Sequence, residues 1–209
     1  RACFQKNQTQ THGKLHHPPH RFALPGDPFG RDVVWAMVKG RGRKTVVLMH
    51  HFDVVGIEDF MRFKDHAFEP DALMQALKGS PEVLRPEAWE DLLSNEWIFG
   101  RGTADMKAGG AIQMALMAAF SELEIFEGTL LLLAVPDEEN LSAGMRHAAL
   151  LLDTLHDRHG LDYCLMINSE PHQRKTKDKG LFSGGSIGKI MPFFYCRGVL
   201  AHAGKSAEG

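Results

Sequence analysis

The segment from Gly128 to Val135 constrains the fold of this chain more than any other. It reads Gly-Thr-Leu-Leu-Leu-Leu-Ala-Val and is followed by Pro136, so an unbroken apolar run ends at a proline. Such a run predicts a strand buried on both faces, because a strand with one solvent face would alternate polar and apolar residues. We therefore predict a central strand here, in a sheet that helices cover on both sides.

Strand and helix patterns alternate along the rest of the chain, which favours parallel pairing. We predict an α/β fold, a three-layer αβα domain with a mixed, mostly parallel sheet. Two glycines, Gly40 and Gly42, are expected to form the tip of a hairpin between the first two strands. The helix over 106–120 is apolar on almost every face and is expected to be buried all round. The other strands are predicted at 33–38, 45–49, 163–168 and within 186–199, and the other helices near 71–78, 86–94 and 142–157.

Composition excludes several classes of protein. Lys and Arg number 24 against 26 Asp and Glu, a net charge of −2, which argues against a nucleic-acid or membrane-surface partner. No apolar run approaches the roughly 18 residues that a membrane helix needs. Three cysteines are too few for a disulfide framework, so we predict a cytoplasmic protein.

Acidic residues and one histidine lie just after three of the predicted strands and just before the predicted buried helix. In a parallel sheet, ligands collect at the carboxyl ends of the strands. Each residue alone has a structural explanation: a buried histidine, a helix cap or a solvated acidic loop. Together, one imidazole and several carboxylates suit zinc, with a carboxylate that bridges a pair of ions. The residues concerned are His51, Asp53, Asp105, Glu138, Glu139 and Glu170.

Three motifs carry a family resemblance. They are His51-Phe52-Asp53-Val54-Val55, the glycine-rich stretch 100–109, and Asp137-Glu138-Glu139. The chain resembles the dizinc metallopeptidase and aminoacylase family that includes acetylornithine deacetylase, succinyl-diaminopimelate desuccinylase and glutamate carboxypeptidase. The stretch after Asp53, together with Asn168-Ser169-Glu170-Pro171, is similar to the arginine-utilisation (RocB-type) branch. The resemblance covers residues 24–209.

The resemblance implies a zinc-dependent hydrolase of amide C–N bonds in amino-acid metabolism, specifically in arginine utilisation. It implies two Zn²⁺ ions per active site, with Co²⁺ or Mn²⁺ as alternatives, and a cis peptide bond after Asp105. Water activated at zinc would attack the substrate, with Glu138 as general base. The other implied roles are a bridging ligand (Asp105), further metal ligands (His51, Glu139, Glu170), a second catalytic residue (Asp53) and an oxyanion contact (His202).

The resemblance also implies a domain organisation. Residues 1–23 are expected to form a flexible tail, 24–184 the N-terminal part of the catalytic domain, and 185–209 the beginning of a lid or dimerisation domain. The family's last histidine ligand has no counterpart, so we interpret the chain as an N-terminal fragment that is expected to be inactive alone. The expected partners are a small acylated amino acid or peptide and a second copy of the chain. Alternatives are a non-catalytic binding module that keeps the fold, or a zinc dipeptidase or carboxypeptidase.

Overall fold

A computed structural model describes residues 17–172, 180–185, 188 and 192–195 of the chain. The chain divides into two compact units, Arg1–Pro171 and His172–Gly209. All the helices and strands of the described residues lie in the first unit. The predicted strands within 186–199 fall largely outside the described residues.

The first unit contains five strands, four α-helices and three short helical segments. The strands are β1 (His17–Ala23), β2 (Asp32–Lys39), β3 (Lys44–His51), β4 (Thr129–Val135) and β5 (Asp162–Asn168). The helices are α1 (Pro70–Lys78), α2 (Pro86–Ser94), α3 (Gly109–Ser121) and α4 (Ala143–His159). The short segments are the 3₁₀ helices Glu58–His66 and Pro81–Val83 and the irregular turn Thr103–Ala108. None of the helices in the described part of the chain is long and apolar enough to cross a membrane.

The strands form one mixed sheet in the order β1-β2-β4-β3-β5. β3 runs parallel to both β4 and β5, whereas β2 pairs antiparallel with β1 and β4. β4 lies at the centre and all seven of its residues are buried, so the prediction of a central strand is confirmed. Leu131 and Leu133 pack with α4 on one face, and Leu130 and Leu132 pack with α3 on the other. The result is the predicted three-layer αβα arrangement.

The predicted hairpin between β2 and β3 is wrong, because β4 lies between these two strands. The connection between them instead bonds to the segment that leads into β4: Gly42 N–H donates to the Glu127 carbonyl at 2.7 Å. A Cβ at Gly40 would lie 2.0 Å from the Gly128 carbonyl oxygen. Gly40 and Gly42 therefore permit close backbone approach to a segment far along the chain.

The helix predicted over 106–120 begins only at Gly109, after the irregular turn. Its prediction as a helix buried all round is wrong, because Ile112 is 61% exposed and Leu116 is 42% exposed. The sheet covers one face of α3, which carries Gly110, Gln113 and Met117. The apolar outer face is left uncovered by the described residues of this unit.

The predicted boundary of the tail also differs from the structure. Residues 17–23 form β1, which pairs with β2 in the register Phe22 to Val33 and Ala23 to Asp32. Arg21 makes an ion pair with Asp32 across this pair of strands. The last seven residues of the predicted flexible tail are therefore part of the sheet, and residues 1–16 lie outside the described part of the chain.

Candidate metal centre

The candidate site lies at the carboxyl edge of the three parallel strands. β3 ends at His51, which is in register with Val135 at the end of β4. Asn168 at the end of β5 is in register with Met49. Since the strands are parallel, the residues that follow them meet at one edge of the sheet, and the turn before α3 brings Asp105 to the same place.

Three side chains converge closely at this edge. The Nε2 atom of His51 lies 3.1 Å from Oδ1 of Asp105 and 3.5 Å from Oε1 of Glu170. One potential ligand atom from each of the three lies within 4.8 Å of the others. His51 is buried, Glu170 is 29% exposed and Asp105 is 54% exposed, so the group opens to solvent on the Asp105 side. These three residues, called the close group below, offer one nitrogen and two oxygen donors.

Asp53 lies on the other side of the His51 ring. The Nδ1 atom of His51 is 3.1 Å from the Asp53 carbonyl oxygen and 3.5 Å from its carboxylate. Because a carbonyl only accepts hydrogen bonds, Nδ1 carries the proton when the imidazole is neutral. The Nε2 lone pair then faces Asp105 and Glu170. A metal bound through Nε2 requires this tautomer, with the proton on Nδ1.

Asp53 also holds the acidic loop that follows β4. Its two carboxylate oxygens accept hydrogen bonds from the backbone N–H groups of Glu138 at 3.2 Å and Glu139 at 3.1 Å. One carboxylate therefore joins the end of β3 to the acidic loop. The side chains of Glu138 and Glu139 are half-buried beside the other acids.

Burial and neighbouring charge disturb the titration of two carboxyls. The pKa of Glu139 is raised by burial first and then by the charge of Asp105. The pKa of Glu170 is also raised by burial first, with a further increase from Asp105 that the nearby His51 opposes. Crowded carboxylates of this kind need a proton or a cation to offset their repulsion.

The donor set fits a divalent metal. An imidazole nitrogen and carboxylate oxygens are ligands that zinc accepts readily. With the proton on Nδ1, the Nε2 atom of His51 is available to a metal. A lone pair directed at two carboxylates is repulsive without a cation between them. The same group also suits Co²⁺ or Mn²⁺, since ligand type alone does not select among these ions.

The irregular turn before α3 places Asp105 in the close group. Gly102 adopts a left-handed conformation with φ of 76°, and a Cβ there would lie 2.6 Å from the Val54 side chain. The Asp105-Met106 peptide bond is cis, as the family resemblance implied. Met106 is fully buried, and its sulfur accepts a hydrogen bond from the His51 backbone N–H at 3.2 Å.

The structure thus brings most of the predicted site residues to one edge of the sheet. His51, Asp105 and Glu170 form the close group, while Asp53 and Glu138 lie beside it. Glu139 is near enough to interact electrostatically with Asp105 but is not part of the 4.8 Å group within the described residues. The predicted oxyanion contact, His202, lies outside the described residues.

Sequence reasoning did not find Gln113. This side chain is 1% exposed in α3 and makes hydrogen bonds toward the ends of both β3 and β5. The available signal was a single amide within the apolar stretch 111–120, since a buried polar group must find partners.

Comparison with known proteins places the chain in a family. The model of peptidase family M20/M25/M40 matches residues 71–181, and the chain belongs to this family. The uncharacterized protein YqjN of Bacillus subtilis (strain 168) is 39% identical over 196 residues, covering 92% of this chain and 36% of YqjN. Protein RocB of the same organism is 36% identical over 193 residues, covering 90% of this chain and 34% of RocB. This chain therefore spans about a third of the length of these relatives.

Two solved structures resemble the chain more distantly. Human carnosine dipeptidase 1 has a TM-score of 0.44 at 18% identity, over 78% of this chain and 32% of that one. An M20 family metallo-carboxypeptidase, Sso-CP2 from Sulfolobus solfataricus, has a TM-score of 0.46 at 14% identity, over 80% of this chain and 32% of that one.

Proposed function

We propose that this chain carries most of the metal site of a zinc-dependent hydrolase that cleaves amide C–N bonds in amino-acid metabolism. The observation that carries the proposal is the convergence of His51 Nε2, Asp105 and Glu170 at the carboxyl edge of the sheet. Membership of peptidase family M20/M25/M40 supports hydrolysis as the reaction class. The specific metal, substrate and residue roles are parts of the proposal.

The exposure of each ligand supports a division of roles in the metal site. Asp105 is the most exposed of the three close ligands, which makes its carboxylate the most accessible to a second ion. In the proposal, Asp105 would be shared by two zinc ions, and His51, Glu139 and Glu170 would supply the other ligands. When bound, the zinc ions would lower the pKa of a coordinated water toward about 7 and polarise the substrate carbonyl.

Glu138 is the proposed general base. It adjoins Glu139 in the turn that follows β4, and both side chains are half-buried near the other acids. Asp53 fixes the backbone of both residues, and the charge of Glu138 is close enough to Glu170 to raise the pKa of that carboxyl. Glu138 would accept the proton of the attacking water and return it to the leaving nitrogen.

The relationship to RocB supports the proposed substrate class. RocB is 36% identical to this chain, and the sequence motifs are similar to the arginine-utilisation branch. We therefore propose an acylated amino acid or small peptide as substrate, with an arginine derivative as the first choice. His202 as an oxyanion contact, a homodimer formed through the segment from residue 185 onward, and a cytoplasmic location complete the proposal.

A substrate panel with metal control tests this function. Full-length protein stripped of metal should hydrolyse N-acyl amino acids, including acyl-arginine, only after zinc is restored. Glu138→Gln should keep its zinc and lose about 10²–10⁴-fold in turnover, because an amide cannot accept the proton of the attacking water. Glu124→Gln, at an exposed position after α3, is the matched control and should behave as wild type. Zinc binding without turnover on acyl amino acids, dipeptides or longer peptides would contradict the proposal and favour the non-catalytic binding module.

A further inference from the structure

Gln113 is a buried side chain whose amide nitrogen and amide oxygen both have hydrogen-bond partners. Its Nε2 donates hydrogen bonds to the Met49 carbonyl at 2.7 Å and to the Ser169 hydroxyl at 2.9 Å, with a longer contact of 3.4 Å to the Ile167 carbonyl. Its Oε1 lies 2.9 Å from Nδ1 of His50. A side chain that is 1% exposed and fully bonded has one well-defined position.

The partners of Gln113 lie next to two of the proposed metal ligands. Met49 and His50 immediately precede His51 at the end of β3, and Ser169 immediately precedes Glu170 after β5. One amide therefore ties together the two strand ends that place His51 and Glu170. The hydroxyl of Ser169 is the part of this network closest along the chain to Glu170.

Two glycines bring α3 close enough for this contact. A Cβ at Gly109 would lie 2.3 Å from the Ser169 carbonyl oxygen, and a Cβ at Gly110 would lie 2.9 Å from the His50 ring. The first turn of α3 therefore packs its backbone directly against both strand ends. Gln113 lies one turn after Gly109 and Gly110, on the same face of the helix.

We infer that Gln113 is a positioning residue for the metal site and acts through the Ser169 hydroxyl to hold Glu170 beside His51. This inference rests on the proposed metal-binding function and adds a residue that does not contact the metal. The 3.5 Å separation of His51 Nε2 from Glu170 Oε1 is the geometry that Gln113 maintains. Groups that orient metal ligands typically change metal affinity by about 10–100-fold when they are removed.

The experiment measures zinc affinity of the full-length protein by competition with a chromophoric chelator. Gln113→Met keeps the length of the side chain and removes its hydrogen bonds, and should weaken zinc binding by about 10–100-fold. Ser169→Ala should weaken binding severalfold in the same direction. The double variant should bind zinc no more weakly than Gln113→Met, because the Ser169 hydroxyl contributes only through its hydrogen bond to Gln113. The visible absorption spectrum of the cobalt-loaded protein should change in Gln113→Met, which reports ligand geometry directly.

The control is Ser121→Ala, which removes a buried hydroxyl at the far end of the same helix. It should leave zinc affinity and the cobalt spectrum unchanged even where it lowers thermal stability. If Gln113→Met does not fold, Ser169→Ala against Ser121→Ala decides the question. Wild-type zinc affinity and an unchanged cobalt spectrum in Ser169→Ala would overturn the inference, as would losses that simply multiply in the double variant. Failure of the wild-type protein to bind zinc would instead overturn the proposed function.

Discussion

Replacement of Asp53 by alanine should weaken metal binding and destabilise the acidic loop at the same time. The Asp53 carboxylate lies behind His51 and accepts two backbone hydrogen bonds, from Glu138 and Glu139. Asp53→Ala removes both acceptors and the carboxylate partner of the His51 ring. The carbonyl contact to Nδ1 remains, because the backbone of residue 53 is unchanged.

The magnitude follows from these contacts. A hydrogen bond to a charged acceptor contributes about 1.5–3 kcal/mol, and the Asp53 carboxylate is 25% exposed, so water replaces part of each bond. The low end of that range for two bonds gives a loss of about 3 kcal/mol in the free energy of unfolding of the metal-free protein. Metal affinity should fall by about 10–100-fold, since Asp53 orients the His51 ring from its Nδ1 side.

Two assays on one set of variants separate the effects. Urea unfolding of the metal-free protein measures the loop contribution, and chelator competition measures zinc affinity. Asp53→Asn keeps one acceptor oxygen and should fall between wild type and Asp53→Ala in both assays. Asp157→Ala, at an exposed position on α4, is the control. Wild-type stability and zinc affinity in Asp53→Ala would refute the assignment of Asp53 as the link between His51 and the acidic loop.

Three further predictions follow from other parts of the structure. Asp137 accepts a hydrogen bond from the Ala143 backbone and pairs with Arg31, and these contacts lower its pKa below the usual 3.8. The Asp137 carboxylate therefore stabilises the fold above pH 3.8, and this stabilisation is lost as the pH falls through the lower pKa of the folded state. Asp137→Asn should reduce the free energy of unfolding at pH 7 by about 1–3 kcal/mol and make it less sensitive to acid. Equal acid sensitivity in the two proteins by thermal unfolding would contradict this. Gly109→Ala should destabilise the protein by about 1–3 kcal/mol in urea unfolding, because its Cβ would overlap the Ser169 carbonyl. Unchanged stability would show that α3 can move away from the end of β5. Glu170→Gln should reduce zinc affinity at least tenfold, which chelator competition measures, and retention of affinity would remove Glu170 from the ligand set.

Local patterns predicted most of the strands and helices, but they predicted neither β1 nor the long-range pairing of the strands. The apolar run 130–135 is a property of one segment, so its burial as β4 was predictable. The pairing of β2 depends on competition between β3, which is near in sequence, and β4, which is 90 residues away. Gly40 and Gly42 fit both a hairpin tip and a close backbone approach, and only the structure distinguishes the two.

The candidate site was predictable because it follows a topological rule. Residues after parallel strands meet at one edge, so His51, Glu138 and Glu170 could be grouped without any knowledge of distances. Whether Glu139 belongs to the close group depends on side-chain distances that no sequence spacing fixes. Gln113 escaped prediction because its role depends on contacts to two strands on different parts of the chain.

Metal stoichiometry tests the central claim most directly. Full-length protein, stripped of metal and dialysed against zinc, should hold up to two zinc ions per chain by inductively coupled plasma mass spectrometry. Asp105→Ala should lose zinc from both positions, because Asp105 is the proposed bridge, whereas Asp71→Ala in the exposed first turn of α1 should match wild type. A wild-type protein that binds no zinc, or an Asp105→Ala protein with undiminished zinc content, would contradict the assignment of this edge of the sheet as a dizinc site.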